Sequence, residues 1–185
     1  MTLLTPSLTR SLWSWHGVLI PLCGATLITI GAKVQIPFFP VPMTLHTLAL
    51  FFLAASFGPR LGFAAMAAYL AAGAMGLPVF SGSPERGIGF AYIVGPTGGY
   101  LIGYLLSTVV IGRLAQGRGP VGLVLAMLAG LAVVYAFGLL WLAFFVPVSS
   151  LVATGLAPFF LGDLIKIALA SAIITGLGHL KGRAQ

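Results

Sequence analysis

The sequence predicts an all-α integral membrane protein: a compact bundle of six transmembrane helices with a proline-rich capping loop after the first helix. Three observations lead there. Of the 185 residues, 59% are hydrophobic and 6% are charged, whereas soluble domains carry about 25% charged residues. The apolar residues come in continuous runs rather than in the alternation of a membrane β-barrel. A bilayer-crossing helix needs ~20 apolar residues, so six crossings with short connections use nearly the whole chain and predict one domain over residues 1–185.

The first span is expected over residues 17–34. It lacks the charged segment beside a short apolar core, and the small-residue cleavage site, that would mark a secretory signal. The second and third spans, 43–57 and 62–77, are short and are separated by Gly58-Pro59-Arg60-Leu61, which reads as a tight turn. The remaining spans are expected over 92–114, 121–146 and 158–180. Between the first two lies QIPFFPVPMTLHTL, in which Pro37, Pro40 and Pro42 forbid a regular helix. Irregular backbone at membrane depth is tolerated where protein buries it or it lines a cavity, so this segment reads as a cap or a re-entrant piece.

Small residues recur every fourth position along two spans: Gly95, Gly99, Gly103 and Ser107 in one, Ala64, Ala68, Ala72 and Gly76 in another. Such spacing lets membrane helices approach closely and predicts packing within one bundle. Trp13 and Trp15 suit an interfacial anchor at the start of the first span. Trp141 lies deeper and is expected to line the core or a pocket.

The formal net charge is +7, from 9 basic and 2 acidic residues. The basic residues stand singly between apolar runs, which argues for membrane orientation and against a nucleic-acid partner. Arg10, Arg60, Arg113, Arg118, Lys181 and Arg183 all fall on one side of a six-span chain. By the positive-inside bias that side, with both termini, is cytoplasmic.

The other charges, Lys33, Glu85, Arg86, Asp163 and Lys166, map to the opposite, outer face or to span ends opening on it. Ionisable groups at membrane depth are costly and mark a cavity or a partner. Two readings of Asp163 and Lys166 stand: a polar ligand pocket near the outer surface, or an i,i+3 pair that satisfies itself. Arg86 suits an anionic ligand group, because its planar fork matches a carboxylate. The Gly95-Pro96-Thr97-Gly98-Gly99 run offers backbone N–H groups to an anion more weakly.

Catalytic and metal signals are sparse. His16, His46 and His179 are scattered, the lone Cys23 forms no intrachain disulfide, and no phosphate-loop motif exists for ATP hydrolysis. No cofactor or metal is expected.

Five stretches carry a family resemblance: VPMTLHTL at 41–48, FGPRLG at 57–62, GLPVFSG at 76–82, GPTGGYLIGY at 95–104 and LAPFFLGDLIKIALA at 156–170. Together, in this order, the chain resembles the BioY family, the biotin-binding S components of energy-coupling factor (ECF) transporters. The resemblance implies a multi-pass protein of the bacterial inner membrane. It implies capture of biotin from outside the cell, with a membrane T component and two ATPase subunits as partners. No enzyme activity is implied.

Asp163 and Lys166 match the family's GDLLK-like motif, which implies contact with biotin's ureido group. Arg86 is expected to clamp the tail carboxylate, and Tyr92, Tyr100 and Trp141 to pack on the bicycle. There are departures. His46 stands where relatives usually have Gln. Glu85 puts a negative charge beside Arg86. The small-residue pattern that the family's first helix offers the T component is degraded to Ala25, Thr29 and Lys33. The competing readings are an S component for another vitamin, and an intramembrane enzyme using Asp163 and Glu85.

Overall fold

The computed structural model describes residues 15–36 and 39–183. Arg10, Trp13 and Pro37, on which the sequence reading drew, lie outside them, as do the side chains of Trp15, His16, His179, Lys181 and Arg183. In chain order the elements are α1 (Trp15–Lys33), β1 (Gln35–Ile36), β2 (Met43–Thr44), α2 (His46–Ala74), α3 (Phe90–Ile93), α4 (Gly98–Leu114), α5 (Pro120–Leu142), α6 (Leu151–Gly155) and α7 (Ala157–Arg183). A 3-10 turn, Val148–Ser150, precedes α6.

Helices stand at all six expected spans, as α1, two arms of α2, α4, α5 and α7, and among the described residues three helical stretches, His46–Ala74, Pro120–Leu142 and Val148–Gly178, are long and apolar enough to cross a membrane. The two arms are joined at Gly58, whose φ of 81° and ψ of 179° interrupt the helix. Positive φ comes without steric cost to glycine alone, and Pro59 suits the first turn of the next arm. The arms fold back on each other: a Cβ on Gly62 would sit 3.0 Å from the Ala54 Cα, although eight residues of continuous helix span about 12 Å. The expected four-residue turn is thus a one-residue break. The fourth crossing also differs, since α4 starts at Gly98 and residues 90–93 form the separate α3.

The outer surface of the bundle is apolar. Leu140 is 70% exposed, Leu161 69% and Val121 74%. Surface this apolar needs a lipid solvent, and the protein is an integral membrane protein. Hydroxyls in the spans bond back to their own helix: Thr29 Oγ1 donates to Ala25 O at 2.8 Å and Thr175 Oγ1 to Ser171 O at 2.8 Å. This meets the rule that polar groups in lipid find partners internally.

The glycine stripe of α4 packs on α5. A Cβ on Gly99 would lie 2.2 Å from Trp141 Cβ, and one on Gly103 2.8 Å from Val134 Cα. Ser107 faces Gly130, and the Tyr100 ring fills the notch left by Gly138. Partners that run down α4 as they run up α5 define an antiparallel pair. Ala64, Ala68 and Ala72 in the second arm of α2, and Gly76 just beyond its end, are half-buried, and the deepest small residues of that arm are Gly62, Ala65 and Gly73.

The proline-rich segment is anchored at both ends by a two-residue antiparallel ribbon, with Gln35 opposite Thr44 and Ile36 opposite Met43. Lys33, at the end of α1, donates to Phe80 O at 3.1 Å and to Ser83 O at 2.8 Å. Ser81 donates to Gln35 Oε1, and Arg86 Nη2 donates to Pro40 O at 2.6 Å. Residues 34–36, 39–44 and 80–86 are therefore laced into one roof over the end of the bundle opposite Arg60, Arg113 and Arg118. The turn that brings Arg86 back to this roof requires Gly82, whose φ is 69° and whose Cβ would meet Arg86 Cδ at 2.4 Å.

Candidate ligand pocket

Beneath the roof lies a cavity of about 50 Å3, lined by residues from α2, α4, α5 and α7 and from the connecting segments. α7 supplies Asp163 and Lys166 one turn apart. Asp163 is 4% exposed and Lys166 8%, so both charges have left water. Lys166 Nζ donates to Asp163 Oδ1 at 2.9 Å. The second carboxylate oxygen, Oδ2, accepts from Tyr135 OH of α5 at 2.7 Å. Desolvating two charges is repaid when the pair is close and its remaining valences are met, and Tyr135 helps to meet them. The i,i+3 pair satisfies itself, and the same two residues line the cavity wall.

Aromatic rings also line the cavity, with Phe80 packed behind them. Tyr92 stacks on Phe80 with ring centres 4.7 Å apart, and Phe80 meets Tyr69 edge-on at 5.5 Å. His46 meets Tyr69 edge-on at 5.1 Å and stacks on Tyr104 at 4.5 Å. The Tyr104 hydroxyl is within 2.9 Å of Thr47 Oγ1. Tyr100 completes the floor with its hydroxyl tied to Gly155 O at 2.6 Å. Rings held at both faces and edges present flat apolar surface at little entropic cost. Burial raises the Tyr92 phenol above the ordinary tyrosine range, so that side chain is neutral.

Of the residues singled out in the sequence, Asp163, Lys166, Tyr92 and Tyr100 meet at this cavity. Arg86 stands in an adjoining cleft of about 270 Å3, which shares Tyr92 and Thr97 with the cavity and includes Phe39 and Pro40. Trp141 is not among the lining residues. Its indole Nε1 donates to Gly95 O at 2.9 Å and its Cβ covers Gly99, so it holds the 95–99 turn from behind. That turn closes on itself through Gly98 N to Gly95 O at 3.0 Å. Glu85 is exposed and lies outside both spaces. Among the described residues no group of three metal-binding side chains occurs.

Sequence reasoning missed Tyr135, Tyr104 and Tyr69 and left His46 without a role. A signal existed for Tyr135: it is the one hydroxyl between Val121 and Leu142. A lone phenol deep in a lipid span needs a partner.

A profile described as the BioY family matches residues 8–183. The chain belongs to the BioY family. It is 41% identical over 157 residues to the biotin transporter BioY of Thermotoga maritima, covering 84% of this chain and 91% of that one. It is 39% identical over 147 residues to the probable biotin transporter BioY of Pyrococcus horikoshii, covering 80% and 86%. A solved structure, the S-component for biotin from an ECF-type ABC transporter, superposes with a TM-score of 0.76 at 28% identity. The match covers 88% of this chain and 90% of that one.

Proposed function

We propose that this chain is the substrate-binding subunit of an ECF-type transporter and captures biotin at the outer face of the bacterial inner membrane. The observation that carries the reading is a buried, hydrogen-bonded Asp163–Lys166 pair set into an aromatic-walled cavity, in a member of the BioY family. Biotin's ureido ring offers two N–H donors and one carbonyl, its bicycle is apolar, and its tail ends in a carboxylate. Asp163 accepts from a ureido N–H, Lys166 donates to the carbonyl, and Tyr92 and Tyr100 flank the bicycle. The tail leads past Thr97 to the Arg86 cleft.

The inner cavity is small on a scale where one water occupies roughly 10–15 Å3. Seating the bicycle therefore displaces wall side chains, and Tyr92, common to both spaces, is the partition between them. The positive end of the bundle, with Arg60, Arg113 and Arg118, faces the cytoplasm, and so do both termini. The chain is a transporter component rather than an enzyme. It carries no phosphate-loop motif, so energy comes from a membrane T component and two ATPase subunits.

The deciding experiment is equilibrium binding of biotin to the purified chain in detergent, with thiamine as competitor. One-to-one binding that excess thiamine leaves unchanged is expected. A folded, monodisperse sample that binds no biotin overturns the proposal.

The Arg86 assignment has its own test. Arg86→Gln is expected to weaken biotin about fivefold, since a partly exposed ion pair contributes about 1 kcal/mol. The same change should leave biotin amide, which lacks the carboxylate, bound as before. Arg60→Ala, at the far end of the bundle, is the matched control and should not alter binding. Equal losses for biotin and its amide would remove Arg86 from the tail site.

A further inference from the structure

The polar groups around the cavity are satisfied almost completely within the protein. Tyr135 and Lys166 are bonded to Asp163, Thr47 to Tyr104, Ser81 to Gln35 and Tyr100 to Gly155. One atom stands apart. His46 Nε2 is the buried side-chain nitrogen or oxygen that has no hydrogen-bond partner among the described residues. The residue is 4% exposed, lies on the cavity lining, and is fixed by stacking on Tyr104 and edge contact with Tyr69. A buried polar atom without a partner costs roughly 1–3 kcal/mol. The ring lies on the cavity lining, where a bound ligand can supply the missing partner.

Resting on the biotin reading, we propose that His46 Nε2 accepts a hydrogen bond from the ligand's ureido ring, and that His46 is a specificity-determining residue of this pocket. The two N–H groups of a cyclic urea flank its carbonyl and point apart, so one carboxylate cannot meet both. Asp163 takes one from the α7 side. The second needs another acceptor on the cavity lining, and α2 supplies one in His46. A neutral imidazole has one such lone pair. A glutamine side chain at this position offers an amide oxygen for the same bond.

The test uses the full chain in detergent. His46→Leu is expected to bind biotin at least tenfold more weakly, and His46→Gln to recover affinity to within about threefold of wild type, as an unmade buried hydrogen bond and its replacement require. In the wild-type chain labelled with 15N-histidine, the His46 Nε2 resonance, assigned by its loss in His46→Gln, is expected to shift on saturation with biotin. The labelled wild type also decides the matter if His46→Leu fails to fold. Wild-type affinity in a folded His46→Leu, or an unmoved Nε2 resonance at saturation, overturns the proposal while leaving biotin binding intact. A wild-type chain that binds no biotin overturns the functional reading itself.

Discussion

Asp163→Asn should bind biotin more than tenfold more weakly than the wild-type chain while eluting as the same folded species. The substitution keeps shape and volume, so packing among α5, α7 and the roof is conserved. It exchanges a carboxylate for an amide. In the native site Oδ1 accepts from Lys166 and Oδ2 from Tyr135. An asparagine turned to keep its oxygen toward Lys166 presents its NH2 to Tyr135, whose hydroxyl then turns to accept. The carboxylate's remaining lone pair toward the ligand is lost, and a ureido N–H meets a donor or a neutral acceptor. Hydrogen bonds to a charged group contribute about 1.5–3 kcal/mol, and 1.4 kcal/mol is tenfold in affinity. Titration calorimetry on the wild type and the variant measures the ratio. Unchanged affinity would remove Asp163 from the site.

The parts of this molecule that were legible in its sequence are those encoded locally. Continuous apolar runs located the crossings within a few residues, because lipid imposes one length and one polarity on every helix. Gly58-Pro59 announced the fold-back. Asp163 and Lys166 were conspicuous because charge in a lipid span is expensive enough to need a reason. The rest depended on pairings between distant segments. Lys33 reads as a charge opening on the outer face, yet its ammonium is spent on the carbonyls of Phe80 and Ser83. Trp141 reads as a ring for the ligand, yet the Gly95 carbonyl claims its N–H. Tyr69 and Tyr104 sit in apolar helices where tyrosine is indistinguishable from packing until the facing helix is known, and the lone hydroxyl of Tyr135 calls for a partner without naming it. No period or motif states that α5 sets Tyr135 opposite α7.

Lys166→Met should be the most damaging single change, and for two separable reasons. The Lys166 side chain is 10% exposed and that of Asp163 6%, so removing the ammonium leaves a buried carboxylate with Tyr135 as its remaining donor. Breaking a buried pair from one side costs about 3–5 kcal/mol. A lower melting temperature in detergent is expected, together with loss of biotin binding, since the donor to the ureido carbonyl is gone. The double variant Asp163→Asn/Lys166→Met separates the two effects. With both charges removed no buried charge is left unpaired, and the amide at position 163 keeps Tyr135 as a partner, so the penalty for breaking a buried ion pair from one side does not arise. Its melting temperature should return close to that of the wild type while biotin binding stays absent. If the double variant recovered binding along with stability, the pair would be an internal strut and the ligand would be held elsewhere. If stability stayed low in the double variant, the loss would come from packing around residue 166 rather than from an unpaired charge. The pair is already held by Tyr135 and lies on the lining beneath the roof, so the cost of desolvating it belongs to folding and not to binding.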